Sequence, residues 1–152
     1  VVLEWSRTRE RYERQGLLVE EAALAQAEQE CLADAEARER RRAREAARRA
    51  DEDQEYIARF AAAVRAQYPA CPPGREQIIA EHACRKYSGR VGRSAAAKRL
   101  DAEAVRLAVS AHVRHTETRY DELLSQGYER WLARAEVEGQ VARVLARWQG
   151  GR

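Results

Sequence analysis

From Leu17 to Tyr68 the chain runs without glycine or proline and consists mostly of helix formers. Its apolar residues change in kind along the way. Within "LLVEEAALAQAEQECLADAEA", Leu17, Leu24, Cys31 and Leu32 make a stripe, with alanine between, that could pack against another surface. The next stretch, "ARERRRAREAARRADEDQE" at 37–55, has alanine as its only apolar residue. The pairs Asp34–Arg38, Glu36–Arg40 and Glu45–Arg49 stand at i,i+4 with the acid first, the favourable order. The pattern predicts a solvated single helix acting as a spacer, about 78 Å long if unbroken over 17–68, at roughly 1.5 Å per residue. A bend or hairpin near 50–53 is the alternative.

At Tyr56 large apolar residues return at helical spacing: Tyr56, Ile57, Phe60, Val64 and Tyr68. "YPACPPG" ends this helix, because Pro69 disfavours helix at Tyr68. "REQIIAEHACRKY" predicts a second core helix with Ile78, Ile79, Ala83 and Tyr87 inward. "SAAAKRL" is a short third helix, and Asp101 caps a fourth, "AEAVRLAVSAHVRHT". "DELLSQG" stops at Gly127. The last helix runs from about Tyr128 to Trp148, with Trp131, Val137, Val141, Val144, Leu145 and Trp148 as its apolar face. No stretch alternates with period two. The expected class is all-α: a compact bundle of about four to five helices at 56–148, behind a long helical arm at 1–55.

Composition adds bounds. The chain has 152 residues, begins at Val1 and contains no Met, so a fragment of a longer protein is expected. No apolar run approaches the roughly 18 residues of a membrane span, and no signal peptide is visible. Three cysteines without framework spacing point to free thiols and a reducing, cytoplasmic compartment. Residues 1–55 carry 11 basic and 15 acidic side chains, whereas 56–152 carry 17 and 10. A basic C-terminal region points weakly to a polyanionic partner. Arginine outnumbers lysine 26 to 2; with the abundant alanine, that bias reflects high-GC coding rather than function.

The basic charge concentrates in "RKYSGRVGRSAAAKRL", 85–100, where Arg85, Lys86, Arg90, Arg93, Lys98 and Arg99 stand with no acid between Glu81 and Asp101. Gly89 and Gly92 permit positive φ and close approach of backbone to a ligand. Ser94 can cap the next helix, and free amides beside cations suit an anion. "GRVG" is similar to the GxxG backbone clamp of KH domains, although those need a sheet. "VGRSAAAKRL" is similar to half of a helix-hairpin-helix element, although its first glycine would fall at Arg90. The alternative is a tight interhelical turn with solvated arginines.

"AHVRHTETRYDELL", 111–124, gathers His112, Arg114, His115, Thr118 and Asp121. An acid/base site is one reading. The other is a T-x-x-D capping box, in which Thr118 caps a helix and Asp121 reaches back to its amide. His112 is expected to pack internally, leaving Arg114 and His115 to reach a ligand.

The blocks "SGRVGR" and "RHTETRYDELL", with "YPACPP" before them and a tryptophan after, resemble the bacterial and fungal family catalogued as domain of unknown function 2293. The resemblance covers roughly 56–148. It implies one compact domain there, following other N-terminal sequence, and implies no activity, substrate or cofactor.

Cys71, His82 and Cys84 have no usual zinc spacing. No paired acids or nucleophile triad can be assigned. No catalytic residue, metal or cofactor is therefore expected. Trp131 and Trp148 read as core, and "RERRRAR" at 38–44 reads as a solvated face.

The leading expectation is a non-enzymatic nucleic-acid-binding domain, for DNA or RNA, gripping phosphate largely without sequence preference. Arg85, Lys86, Ser88, Gly89, Arg90, Gly92, Arg93, Ser94, Lys98 and Arg99 would form the grip, with Arg114 and His115 as auxiliaries. A second reading is an adaptor whose arm forms a homodimer or pairs with a helical partner. A third is an enzyme on nucleic acid using His115, Arg114 and Asp121.

Overall fold

The computed structural model describes residues 1–150. They form two compact units, one of Val1–Arg48 and one from Arg49 onward. The described residues are mostly helical, as expected, and the first unit adds a small two-stranded sheet. It opens with an antiparallel hairpin, β1 (Val2–Ser6) and β2 (Arg11–Gly16), registered by Leu3↔Arg14, Glu4↔Glu13 and Trp5↔Tyr12. Most residues on both faces of this ribbon are exposed, so no apolar alternation marks it in the sequence. It is held by its ladder, by the edge-on Trp5–Tyr12 pair at 5.1 Å and by Arg9–Glu13 at 2.8 Å.

The long helix is also divided. α1 (Glu21–Ala33) and α2 (Ala35–Gln67) are separated at Asp34, and residues 50–53 are helical within α2, with no hairpin there. Arg38 Nη2 donates to the Cys31 carbonyl at 2.6 Å, an acceptor that a continuing helix would use for the amide of residue 35. Asp34–Arg38 and Glu36–Arg40 close at 3.0 and 3.1 Å as the spacing implies, while Glu45 meets Arg48 at 3.1 Å. Leu17, Leu24 and Leu32 are exposed, so the stripe of the arm packs on nothing among the described residues.

The second unit is helical. After α2 come α3 (Arg75–Ala83), a 3-10 turn at Val91–Arg93, α4 (Ala95–Lys98), α5 (Ala102–Thr116), α6 (Tyr120–Ser125) and α7 (Arg130–Trp148). α5 is central, packing against α3, α4, α6, α7 and the 3-10 turn. The core joins Ile57, Phe60 and Val64 of α2 to Tyr68, Ile79, Val105, Val109, Val113, Leu123, Val137 and Trp148. Each large side chain buried in this way contributes about 1.5–3 kcal/mol.

Three caps follow from the sequence. Asp101 Oδ1 accepts from the amides of Glu103 and Ala104 at 3.0 and 3.3 Å, Ser94 Oγ from that of Ala97 at 3.1 Å, and Gly127 ends α6 with φ +87°. Two inward assignments on α3 do not hold. Ile78 is exposed, and Tyr87 lies past the helix, fully exposed with φ +58°. α3 stops at Ala83 because the chain must turn into the glycine loop. The preceding turn is closed by Arg65, whose guanidinium donates to the carbonyls of Pro69 and Cys71 at 3.1 and 2.5 Å and meets Glu76 at 2.6 Å. No described helix is long and apolar enough to cross a membrane.

Candidate nucleic-acid interface

The glycine loop is fastened from below by two residues of α2. Asp53 Oδ1 accepts from Arg93, and its Oδ2 meets Lys86 Nζ at 3.4 Å. Tyr56 Oη donates to the Gly92 carbonyl at 2.6 Å, and the Arg93 guanidinium lies over the Tyr56 ring at 5.3 Å. Arg93 Nε also donates to the Cys84 carbonyl, the end of α3. Arg93 thus spends its donors on the fold. Burial pushes the Tyr56 hydroxyl up to about 12, so it remains a donor across the accessible range.

The two glycines differ in purpose. Gly89 has φ +66° and makes the turn. Gly92 does not have positive φ. It is buried, and a Cβ there would lie 2.6 Å from the carbonyl carbon and oxygen of Ala83 and 2.9 Å from the Cys84 amide. The close approach expected at Gly92 is to the end of α3, not to a ligand. Ser88 Oγ donates to the Arg85 carbonyl at 2.7 Å and accepts from the Arg90 amide, which tightens the turn. α4, which Ser94 caps, has only four residues, and the cap occupies the Ala97 amide.

Four loop cations are left. Arg85, Arg90, Lys98 and Arg99 make no ion pair among the described residues, and all but the half-buried Arg90 are exposed. Their field reaches α3. His82 is pulled below its ordinary value by its own desolvation first, then by Arg90, Arg85 and His115. His112 is buried, its Nε2 has no protein partner, and desolvation, Arg75, His82 and His115 bring it down to about 4.

The histidine segment resolves differently from a capping box. Thr118 Oγ1 does accept from the Tyr120 amide at 3.2 Å, but Asp121 does not reach back. Its Oδ1 instead meets His115 Nδ1 at 2.7 Å. The chain leaves α5 through a bend at 117–119, which brings Asp121 back beside the last turn of α5. His115 also packs edge-on against Tyr120 at 5.2 Å, and Arg114 lies over the same ring at 5.6 Å. The His115–Asp121 pair is solvent-exposed.

A family model described as an uncharacterized conserved protein, DUF2293, matches residues 63–149. The chain belongs to that family. The match takes in the glycine loop, α5, α6 and all of α7, while Asp53 and Tyr56 lie before it. Comparison with curated proteins and with solved structures returns no match.

Sequence reasoning missed Asp53 and Tyr56, which act on residues 40 and 36 positions away. Asp53 sits in a charged run where nothing distinguishes it from Asp51 or Glu52. It also missed the split face of α7. Val137, Val141, Val144 and Trp148 are buried, whereas Trp131 is exposed, so Trp131 does not belong to the core. The repeat of Trp131, Arg134 and Glu138 at steps of three and four was the available signal.

Proposed function

We propose that the DUF2293 region of this chain is a non-enzymatic nucleic-acid-binding module that holds phosphate through the 85–99 loop. The observation that carries this reading is the division of labour among the loop cations. Arg93 and Lys86 are taken up by Asp53, and the backbone is fixed through Tyr56 and Gly92. Arg85, Arg90, Lys98 and Arg99 are left facing solvent without acids in the same segment. Fixed backbone with free guanidinium and ammonium groups suits a polyanion of regular charge spacing and offers no base-edge code. Gly89 provides the turn, and Ser88 and Ser94 hold its shape rather than touch the ligand. Arg114 and His115 are auxiliary contacts on the adjacent end of α5. The unpaired thiols Cys31, Cys71 and Cys84 agree with a cytoplasmic setting.

Fluorescence anisotropy with single- and double-stranded DNA and RNA at several salt concentrations tests the reading. Arg85→Ala with Arg90→Ala should lower the log–log salt slope by about 1.4–1.8, at roughly 0.7–0.9 per phosphate contact. Wild-type affinity and slope in this folded variant would reduce the loop to a turn. The adaptor reading would then lead, favoured by the exposed Leu17, Leu18, Val19 and Leu32 of the first unit as a surface for a second copy or a helical partner.

A further inference from the structure

Between α5 and α7 lies an open groove of about 450 Å³, within the roughly 300–1,000 Å³ typical of small-ligand sites. Leu107, Val141 and Leu145 form apolar walls, and Trp131 stands at the edge with 68% of its surface exposed. Burying a tryptophan face is among the larger gains available to a protein, so a free one beside a cavity is a ready stacking surface. Arg114 and Arg134 line the same groove and make no ion pair among the described residues, whereas Arg106 is held by Glu103 at 2.6 Å. Ser110 lines it too. That side chain is 93% buried, and its hydroxyl has no protein partner. A buried hydroxyl left unpaired is costly unless something meets it, and Ser110 is a residue of the groove wall. Glu138 is the one acid among the lining residues.

These groups ask for a ligand with a flat aromatic face, an anionic group and N–H donors. Trp131 and the aliphatic walls take the face, Arg114 and Arg134 the anion, Ser110 and Glu138 the polar edge. We propose that the α5–α7 groove binds a nucleobase together with its phosphate, as a free mononucleotide or as one residue of a single strand. This site uses none of the four free loop cations and shares with the loop reading only its auxiliary, Arg114.

The test uses the full chain carrying Trp5→Phe, so that Trp131 is the one exposed tryptophan beside the buried Trp148. Its fluorescence is titrated with adenosine monophosphate, with a short single-stranded oligoadenylate, with an abasic strand of equal length and with inorganic phosphate. Quenching by the mononucleotide assigns the groove to free nucleotides, and quenching by the oligoadenylate alone assigns it to strands. Inorganic phosphate and the abasic strand should leave the signal unchanged. In anisotropy or calorimetry, Trp131→Ala and Arg114→Ala with Arg134→Ala should each weaken the quenching ligand about tenfold or more, with helix content unchanged by circular dichroism. Ser110→Ala should weaken it less. No quenching by either base-bearing ligand, or equal quenching by the abasic strand, overturns the proposal. The two readings fail separately. Strand binding that depends on Arg85 and Arg90 but never quenches Trp131 removes the groove and keeps the loop. Quenching by the mononucleotide in a protein that binds no strand does the reverse.

Discussion

Acidification should weaken the second unit through His112. The folded protein holds this imidazole neutral down to about pH 4, against 6.5 for the ordinary side chain. Desolvation is the first cause, because the ring is buried; Arg75 and His82 on α3 and His115 on α5 add positive charge. Arg75 is itself partly offset by Glu117 at 3.5 Å. In the unfolded chain His112 takes its proton first. Between the two values the unfolded state therefore binds more protons, and stability falls as pH falls. The loss reaches about 2 kcal/mol between pH 7 and pH 5 and about 3 kcal/mol by pH 4. Carboxylates also titrate in that range, so the contribution is isolated by difference. His112→Leu keeps an apolar body in the site and removes the unpartnered nitrogen. Urea denaturation of both proteins at pH 7, 5 and 4, followed by circular dichroism, measures it. The variant should lose about 2 kcal/mol less than wild type on going to pH 5. Equal losses in the two proteins would mean that His112 is not held neutral in the folded protein.

Two tyrosines should behave oppositely in thermal or urea melts. Tyr56→Phe removes the bond to the Gly92 carbonyl and should destabilise by about 1–3 kcal/mol, whereas Tyr68→Phe removes a buried hydroxyl that has no protein partner and should be neutral or slightly stabilising. Gly92→Ala places a methyl group against the Ala83 carbonyl and should destabilise by about 1–3 kcal/mol, measured by urea denaturation. Asp53→Asn should destabilise by about 1–3 kcal/mol by leaving the half-buried Arg93 unpaired, and proteolysis within 85–94 should speed up. Thr118→Ala removes the bonds to the Tyr120 amide and the Arg114 carbonyl and should lower stability by about 0.5–1.5 kcal/mol per bond in the same melts, although Asp121 takes no part.

The helices of the second unit were legible because their signals are local. Large apolar residues recur at helical spacing from Tyr56, prolines close the turn at 69–73, and Asp101, Ser94 and Gly127 mark ends through bonds that span a few residues. What escaped depends on partners distant in sequence, or on groups that use no apolar pattern. The hairpin buries almost nothing, so its strands look like charged coil. The break at Asp34 has no glycine or proline to mark it. Gly92 carries no mark to distinguish a packing glycine from a turn glycine, because the difference lies in Ala83, nine residues earlier. The loop could be found by its charge, but which cations it keeps free could not. That depends on Asp53, which the sequence presents as one acid among several.

The anchoring of the loop by Asp53 and Tyr56 bears on where this protein can be cut. The family match starts at residue 63, after both of them. A protein shortened to that point would keep every loop cation and the whole of α5, and so would carry the charge pattern intact. It would lose the carboxylate that holds Arg93 and Lys86 and the hydroxyl that holds the Gly92 carbonyl. Arg93 would then keep only its bond to the Cys84 carbonyl, and binding measured on such a fragment would report a different, looser loop. A piece that preserves the native presentation of Arg85 and Arg90 must begin upstream of Asp53, inside a stretch of α2 whose own side chains are mostly in water. The segment that is recognisable and the segment that must be expressed together are different lengths.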